Sequence, residues 1–265
     1  MTRPQPSAAW LQRLRTRADE PPAKPRAGLW WDAVAIGSLE TDLLEDLLLD
    51  LPPTLMQRRD GATGPGWQLR GDLTSSIGRL AAAIRQAGLA PSWRNEQLAV
   101  RGARGETLGT VERGVTRILG IATHAVHLAG FLPDGRHWVQ QRAFDKPNDP
   151  GMWDTMVGGM VPAGEAPERT LERETWEEAG LKLSELQRLR HGGRLTLRRP
   201  GGARGGYIIQ EVDWYTATVP EGVVPVNQDG EVVQFRRMDA AEICTRLEQE
   251  EFTVDAALVL SREGI

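Results

Sequence analysis

The stretch from position 159 to 181 constrains this chain more than any other. It runs Gly159-Met-Val-Pro-Ala-Gly-Glu165, then seven residues, then Arg173-Glu174-Thr175-Trp176-Glu177-Glu178-Ala179-Gly180-Leu181. Pro167 suits the first turn of a helix, where its missing N–H is not needed, and Gly180 suits the left-handed residue that ends one. A helix over 167–179 follows. Each helical residue turns about 100° and rises about 1.5 Å, so Glu174, Glu177 and Glu178 share one arc within about 6 Å along the axis. Leu171, Thr175 and Ala179 form the adjoining stripe, small and apolar enough to press on a sheet. Like charges at i,i+3 and i,i+4 destabilise a helix by roughly a few tenths of a kcal/mol per pair. They also stand toward the C-terminal end, where the helix dipole disfavours negative charge. Local structure gains nothing from them. The residues alone leave two readings. One is a solvated charged face, partly neutralised by Arg169 and Arg173. The other is a site for a hard divalent cation, which takes carboxylate oxygens together with water and substrate phosphate.

At 265 residues the chain is longer than one typical domain, so two are expected. The net charge of −4 excludes a protein held to nucleic acid by bulk charge. Cys244 is the only cysteine, which excludes an intrachain disulfide and a Cys-based zinc site. No apolar run approaches the roughly 20 residues of a membrane helix. The opening segment carries Arg13, Arg15 and Arg17 but no apolar signal core. It reads as the first helix of an N-terminal domain, with Trp10, Leu11 and Leu14 inward, rather than as a transit peptide. A cytoplasmic protein without nucleic-acid or membrane partners, monomeric or homodimeric, is expected.

Residues 1–117 read as a small α+β accessory domain. After Pro21, Pro22 and Pro25, positions 29–36 form a short strand. Ser38 then caps a helix through Leu39, Leu43, Leu44, Leu47, Leu48 and Leu51 that stops at Pro52. Gly64-Pro65-Gly66 is a turn, Asp72 caps a second helix through Ile84, and strands follow at 98–100 and 107–111. Nothing in this half converges polar groups on a site. Residues 118–265 change character. Strands at 121–131 and 137–142 flank the turn Pro133-Asp134-Gly135, the acidic helix follows, and further strands lie at 195–199, 207–219 and 232–238. Helical pattern returns after Asp239. Strands with a helix inserted mid-order suggest a mixed sheet between helices.

The spacing of fixed residues matches the Nudix box, G-x5-E-x7-R-E-U-x-E-E-x-G-U, where U is bulky and aliphatic. Gly159, Glu165, Arg173, Glu174, Glu177, Glu178, Gly180 and Leu181 fit it. Thr175 departs mildly at the first U position, where its methyl still packs. The chain thus resembles the Nudix hydrolases. The resemblance implies the α+β Nudix fold, a mixed sheet sandwiched between helices with the box as loop–helix–loop. It implies hydrolysis of a diphosphate bonded to an organic group. It also implies that Glu174, Glu177 and Glu178 bind Mg²⁺ or Mn²⁺, and that a backbone carbonyl near Gly158 or Gly159 completes the shell. Arg173 would orient Glu174, and Glu165 would support from behind. Metals there neutralise the diphosphate and lower the pKa of an attacking water. The general base is either Glu174 or an acid from a later loop. Glu231 is the candidate for the latter, as base or extra ligand, against the plainer reading of a solvated residue beside a hairpin turn.

A narrower resemblance rests on His124-Ala-Val-His127-Leu, Trp138-Val-Gln-Gln-Arg142, Lys146 with Pro150-Gly151, and Trp153-Asp154. Pro225-Val-Asn227-Gln-Asp229-Gly230-Glu231-Val232 with Phe235 belongs to it too. These segments resemble a Nudix subfamily that includes domains fused to fungal thiamine pyrophosphokinase. Its stand-alone relatives carry an N-terminal accessory domain. The likeness covers the C-terminal half well and the N-terminal half loosely. It implies cleavage of thiamine diphosphate, particularly oxidised or damaged forms, to the monophosphate and phosphate. Three alternatives stand beside it. The first is a nucleotide substrate such as ADP-ribose, a dinucleotide or an oxidised nucleoside triphosphate. The second is a ligand sensor, which usually lacks a box carboxylate. The third is an isomerase on the related fold, which calls for a catalytic cysteine early in the domain. Arg142 and Lys146 are candidates to pair with phosphate, or else mark an exposed strand end. His127 is expected packed or hydrogen-bonded. Trp30, Trp31, Trp67 and Trp93 are expected in cores rather than in a stacking wall. Arg188, Arg190, Arg194, Arg198 and Arg199 are expected on a solvated hairpin edge.

Overall fold

The computed structural model describes residues 4–43, 51–61, 64–90, 92–202 and 205–263. In the N-terminal half, β1 (Arg26–Trp31), β2 (Val34–Glu40), β3 (Met56–Gly61) and β4 (Gly64–Leu69) make a four-stranded sheet in the order β2-β1-β4-β3. A hairpin of β5 (Gln97–Arg101) and β6 (Thr107–Glu112) stands beside it. Helix α1 (Ala8–Ala18) precedes these strands, and α2 (Leu73–Gln86) lies between β4 and β5. Asp72 caps α2, its carboxylate accepting the Ser75 N–H at 2.9 Å. Leu73, Ile77, Leu80, Ala81 and Ile84 form the buried stripe of α2, and each large aliphatic there contributes about 1.5–3 kcal/mol through burial.

Local pattern misreads part of this half. The strand expected at 29–36 is the middle of a hairpin, turning between Trp31 and Val34 with Asp32 at φ 48°. Ser38 caps no helix. It lies in β2, its N–H donates to the Leu119 carbonyl at 2.7 Å, and its hydroxyl accepts from Arg26 Nε at 2.9 Å. Those partners are distant in sequence, so no local signal reports them. Gly64-Pro65-Gly66 opens strand β4 rather than forming a turn. Positions 44–50 of the expected leucine-rich helix lie outside the described residues.

The C-terminal half is one mixed seven-stranded sheet. Its strands are β7 (Thr123–Phe131), β8 (His137–Arg142), β9 (Trp153–Asp154), β10 (Val157–Met160), β11 (Gln187–Pro200), β12 (Tyr207–Thr218) and β13 (Val232–Met238). β7 lies at the centre, parallel to β12 along its length. Like other strands covered on both faces, it reads as a nearly continuous apolar run. Its other edge is shared. β10 pairs with it at 125–128, and β8 only at Gly130 and Phe131. β8 and β10 therefore diverge from one strand, and the sheet opens beside Gly158 and Gly159.

Helix α3 (Pro167–Ala179) covers one face, packing Leu171 and Ala179 with Val126, Leu128 and Val157. Helices α4 (Ala240–Glu248) and α5 (Val254–Arg262) cover the other. The result is the mixed sheet between helices that the box resemblance implies. Helix α1 corrects an expectation. It buries Trp10, Leu14 and Ala18 not in the N-terminal half but with Leu197, Ile243 and Val259, and the Ser7 N–H at its start donates to Glu248 at 2.8 Å. An amphipathic stripe tells which side of a helix is buried, not against what. The two halves are hydrogen-bonded to each other. Arg26 Nη2 donates to the Ile118 carbonyl at 2.6 Å, and the Ala163 N–H donates to the Gln97 carbonyl at 2.8 Å. Among the described residues no helix is long and apolar enough to cross a membrane.

Candidate active site

Helix α3 begins with Pro167 in its first turn and ends at Gly180 with φ 63°. The Gly180 N–H bonds the Trp176 carbonyl at 2.8 Å and the Leu181 N–H bonds Thr175 at 3.2 Å. These caps fix which residues face β10. A Cβ on Gly159 would lie 2.1 Å from Glu174 Cδ, so only glycine lets the Glu174 carboxylate rest against the β10 backbone. Glu178 is buried beneath the same strand. One of its oxygens, Oε2, accepts both the Gly158 N–H at 2.9 Å and Gln140 Nε2 at 3.0 Å.

Arg173 ties the remaining box acids together. Its Nη1 donates to Glu174 Oε1 at 3.0 Å and Glu177 Oε2 at 2.8 Å. Its Nη2 donates to Glu165 Oε2 at 3.2 Å, and the Thr170 hydroxyl donates to the same oxygen at 2.9 Å. The structure thus brings Gly159, Glu165, Arg173, Glu174, Glu177 and Glu178 into one cluster.

This cluster is short of positive charge. Burial pushes the Glu178 carboxyl up to about 8, against the pull of Lys146 and with the Glu174 charge adding to the rise. Burial pushes Glu174 up to about 7, the Arg173 guanidinium pulling the other way and Glu177 and Glu231 adding to it. Carboxylate oxygens on one helix face and the Gly159 carbonyl are hard donors, the chemistry that Mg²⁺ or Mn²⁺ takes. Among the described residues no three acidic, histidine or cysteine side chains already stand as a cation cage. Arg173 engages Glu174 and Glu177 instead, and these would turn to a cation. The donor set fits the ion, and the charge imbalance is of the sign that an ion corrects.

Glu231 faces the same opening and is ion-paired with Lys146. Although burial works to raise it, the Lys146 hydrogen bond and charge hold its carboxyl below the usual range, helped by Arg113 and Arg94. Arg142 lies on the cleft wall with its guanidinium engaged. It donates to Asp154 Oδ2 and to the carbonyls of Asp149 and Asn148, each at 3.2 Å. His127 is buried, its Nδ1 2.8 Å from the Thr155 hydroxyl, and its ring stands beside Gly158. The tryptophans stay within the N-terminal half. Arg59 lies 4.2 Å over the Trp30 ring and Arg85 4.5 Å over Trp93, Arg58 stacks on Trp67, and Trp31 Nε1 bonds the Gly71 carbonyl. Arg190 and Arg194 on the β11 edge form ion pairs with Glu263 and Asp213.

The box cluster opens into a cleft of about 510 Å³ whose opposite wall includes Arg94, Arg113 and Arg117. That wall comes from the half expected to bring no polar groups together. Arg94 and Arg113 carry no sequence signal. Gln140 stands inside the segment 138–142 already singled out, but nothing in its spacing points at Glu178.

Residues 123–258 match the family described as the NUDIX domain, more than half of the chain. Nudix hydrolase 20, chloroplastic, of Arabidopsis thaliana is 27% identical over 195 residues, 68% of this chain and 49% of that protein. An isopentenyl-diphosphate Delta-isomerase of Streptomyces griseus is 30% identical over 143 residues, 54% of this chain and 70% of that protein. The crystal structure of DR0079 from Deinococcus radiodurans shares the fold with a TM-score of 0.52 at 20% identity, covering 63% of this chain and 98% of that one. The chain spans about half the length of the Arabidopsis relatives it matches. By the match over 123–258, the chain belongs to the Nudix family.

Proposed function

We propose that the protein is a divalent-cation-dependent diphosphatase that hydrolyses the anhydride bond of a diphosphate carried on an organic group. The observation that carries this reading is a pair of carboxylates pushed up by burial on one helix face, the fully buried Glu178 and the half-buried Glu174, with Glu174 and Glu177 opening on a cleft. Glu174, Glu177, Glu178 and the Gly159 carbonyl would hold Mg²⁺ or Mn²⁺, which when bound neutralises phosphate charge and lowers the pKa of water. Arg173 orients Glu174, Glu165 orients Arg173, and the Gly158 N–H with Gln140 fixes Glu178. Glu231 acts as general base, kept ionised by Lys146. A water oxygen bonds to phosphorus as the bridging P–O bond breaks, and the water's proton passes to Glu231. Glu174, near 7, has a suitable basicity, but its Arg173 hydrogen bond and its role as a cation donor leave it less free. Arg142 is assigned to bracing its own loop.

The proposed substrate is thiamine diphosphate or an oxidised analogue, cleaved to the monophosphate and phosphate. Support comes from the likeness of segments 124–128, 138–142 and 225–232 to the thiamine-linked subfamily. A nucleotide is the second reading, since a cleft of about 510 Å³ is large enough for one. The isomerase reading lacks its cysteine, because Cys244 is buried in the core shared by α1, α4 and α5. Phosphate release by the purified protein with Mg²⁺ tests all of these on thiamine diphosphate, its oxidised analogues, ADP-ribose, dinucleotides and oxidised nucleoside triphosphates. A nucleotide preferred tenfold, about 1.4 kcal/mol in transition-state binding, overturns the thiamine assignment. No turnover of any diphosphate overturns the diphosphatase.

A further inference from the structure

We propose that Arg94 and Arg113, on two loops of the N-terminal half, are an anion-binding wall that grips the diphosphate of the substrate across the cleft from the box. The inference rests on the diphosphatase reading for its ligand class, and on the following geometry for its residues. Both arginines line the cleft that Glu174, Glu177 and Glu231 also line.

The loops that carry them are built into position. Glu112 is buried at 4% exposure, and its Oε1 accepts the backbone N–H of Arg94 at 2.7 Å and of Gly114 at 3.2 Å. One buried carboxylate therefore clasps both loops. A Cβ on Gly114 would stand 2.7 Å from the Ser92 carbonyl, so the two segments meet closer than a side chain at 114 allows. Arg113 is held further by its N–H to the Glu96 carbonyl at 2.8 Å and by its Nη1 to Glu96 Oε2 at 2.6 Å. The wall is also fastened to the box itself. Leu98 of β5 bridges to Pro162, and the Ala163 N–H donates to the Gln97 carbonyl. Pro162 and Ala163 belong to the loop between Gly159 and Glu165.

The charge inventory then decides who meets the phosphates. On the C-terminal side of the cleft, Lys146 is paired with Glu231, Arg142 with Asp154, and Arg173 with three glutamates. Arg117, on the same wall as Arg94 and Arg113, donates to Asn148 at 2.6 Å and lies partly buried. The Arg94 guanidinium is exposed and makes no hydrogen bond with a described residue. Arg113 is ion-paired with Glu96, and its charge, like that of Arg94, also acts on Glu231. An incoming diphosphate needs uncommitted cations, and a guanidinium fork matches two phosphate oxygens at once.

Calorimetric titration of imidodiphosphate, a diphosphate with a non-hydrolysable bridge, into the full chain with Mg²⁺ tests the wall without turnover. Arg94→Ala and Arg113→Ala are each expected to raise Kd about tenfold, and the double variant more. Arg113→Lys, which retains the Glu96 pair but not the fork, falls between wild type and Arg113→Ala. Arg15→Ala on α1 is the unchanged control. With thiamine diphosphate as substrate, the same variants raise KM while kcat stays near wild type, the signature of binding lost equally in ground and transition states. Unaltered imidodiphosphate affinity in the double variant overturns the wall, as does a wild-type protein that binds no imidodiphosphate. If the wild type binds it through these arginines yet hydrolyses no diphosphate, the diphosphatase reading fails and the wall stands.

Discussion

Asp213 on β12 and Glu178 on α3 are both buried carboxylates of the C-terminal half, 4% and 1% exposed, yet their surroundings differ in kind. Asp213 accepts from Arg194 Nη2 at 2.8 Å and Nε at 3.0 Å, from His124 Nε2 at 2.8 Å and from His191 Nε2 at 3.1 Å. Against its burial, those donors hold the carboxyl down to about 2. Glu178 has two neutral N–H donors, both on one oxygen, and is pushed up to about 8. A buried charge is costly unless paired and hydrogen-bonded. The fold gives Asp213 cationic partners from its own side chains and gives Glu178 only neutral donors in contact. Buried acid alone does not mark a functional centre. A buried acid held only by neutral donors, on the same helix face as acids that line a cleft, is the better candidate.

The largest effect that separates the two belongs to Glu178→Gln. Turnover with saturating Mg²⁺ should fall on the order of a thousandfold. Stability of the metal-free protein should be unchanged or slightly raised, because burial already disfavours the charged carboxyl and the amide oxygen can accept the same two N–H donors. Near-wild-type turnover would equate Glu178 with Asp213 and break the contrast. Glu231→Gln comes next, lowering kcat by about a hundredfold with the Mg²⁺ midpoint unmoved. Recovery of the rate at higher Mg²⁺ would make Glu231 a cation donor instead of the base.

Asp213→Asn acts on the other side of the comparison. It leaves Arg194 and His124 without their ionised partner, so urea unfolding should show a loss of about 3 kcal/mol, while turnover well below the melting transition is retained. Loss of activity in a variant that stays folded would move Asp213 into the catalytic machinery. The smallest effect is the acid limb of the wild type. The folded carboxyl near 2 lies below its ordinary 3.8, so the unfolded chain takes up the proton first as pH falls. The stabilisation is present in full above about pH 4 and is lost toward pH 2, about 2 kcal/mol in all. Acid unfolding of wild type and Asp213→Asn should therefore converge across that interval, and parallel curves would deny the contribution.

Sequence alone reveals the unfinished site better than the finished one. The box declares itself because its glutamates oppose helix stability and its Pro167 and Gly180 bound the helix. The Asp213 patch is silent, since His124, His191, Arg194 and Asp213 come from three strands whose pairing no local pattern specifies. The same holds for α1, whose apolar side is legible while its partner sheet is not, and for Ser38, which has the chemistry of a cap and the partners of a strand. β10 escapes notice because Gly158 and Gly159 carry no β-forming side chain, although their bareness is what admits Glu174 and Glu178. Arg94 and Arg113 are ordinary surface arginines until the Glu112 clasp and the β5 contact with Pro162 set them opposite the box.

Thermal unfolding of the wild type and of Glu178→Gln, each titrated with Mg²⁺, separates a cation site at Glu178 from a self-contained buried acid of the Asp213 kind. Binding to the folded state alone raises the unfolding temperature with ligand concentration. Mg²⁺ should raise the wild-type midpoint and leave that of Glu178→Gln unmoved, while Asp213→Asn starts lower and rises as the wild type does. A Glu178→Gln protein that Mg²⁺ stabilises as much as the wild type would contradict a cation site at Glu178.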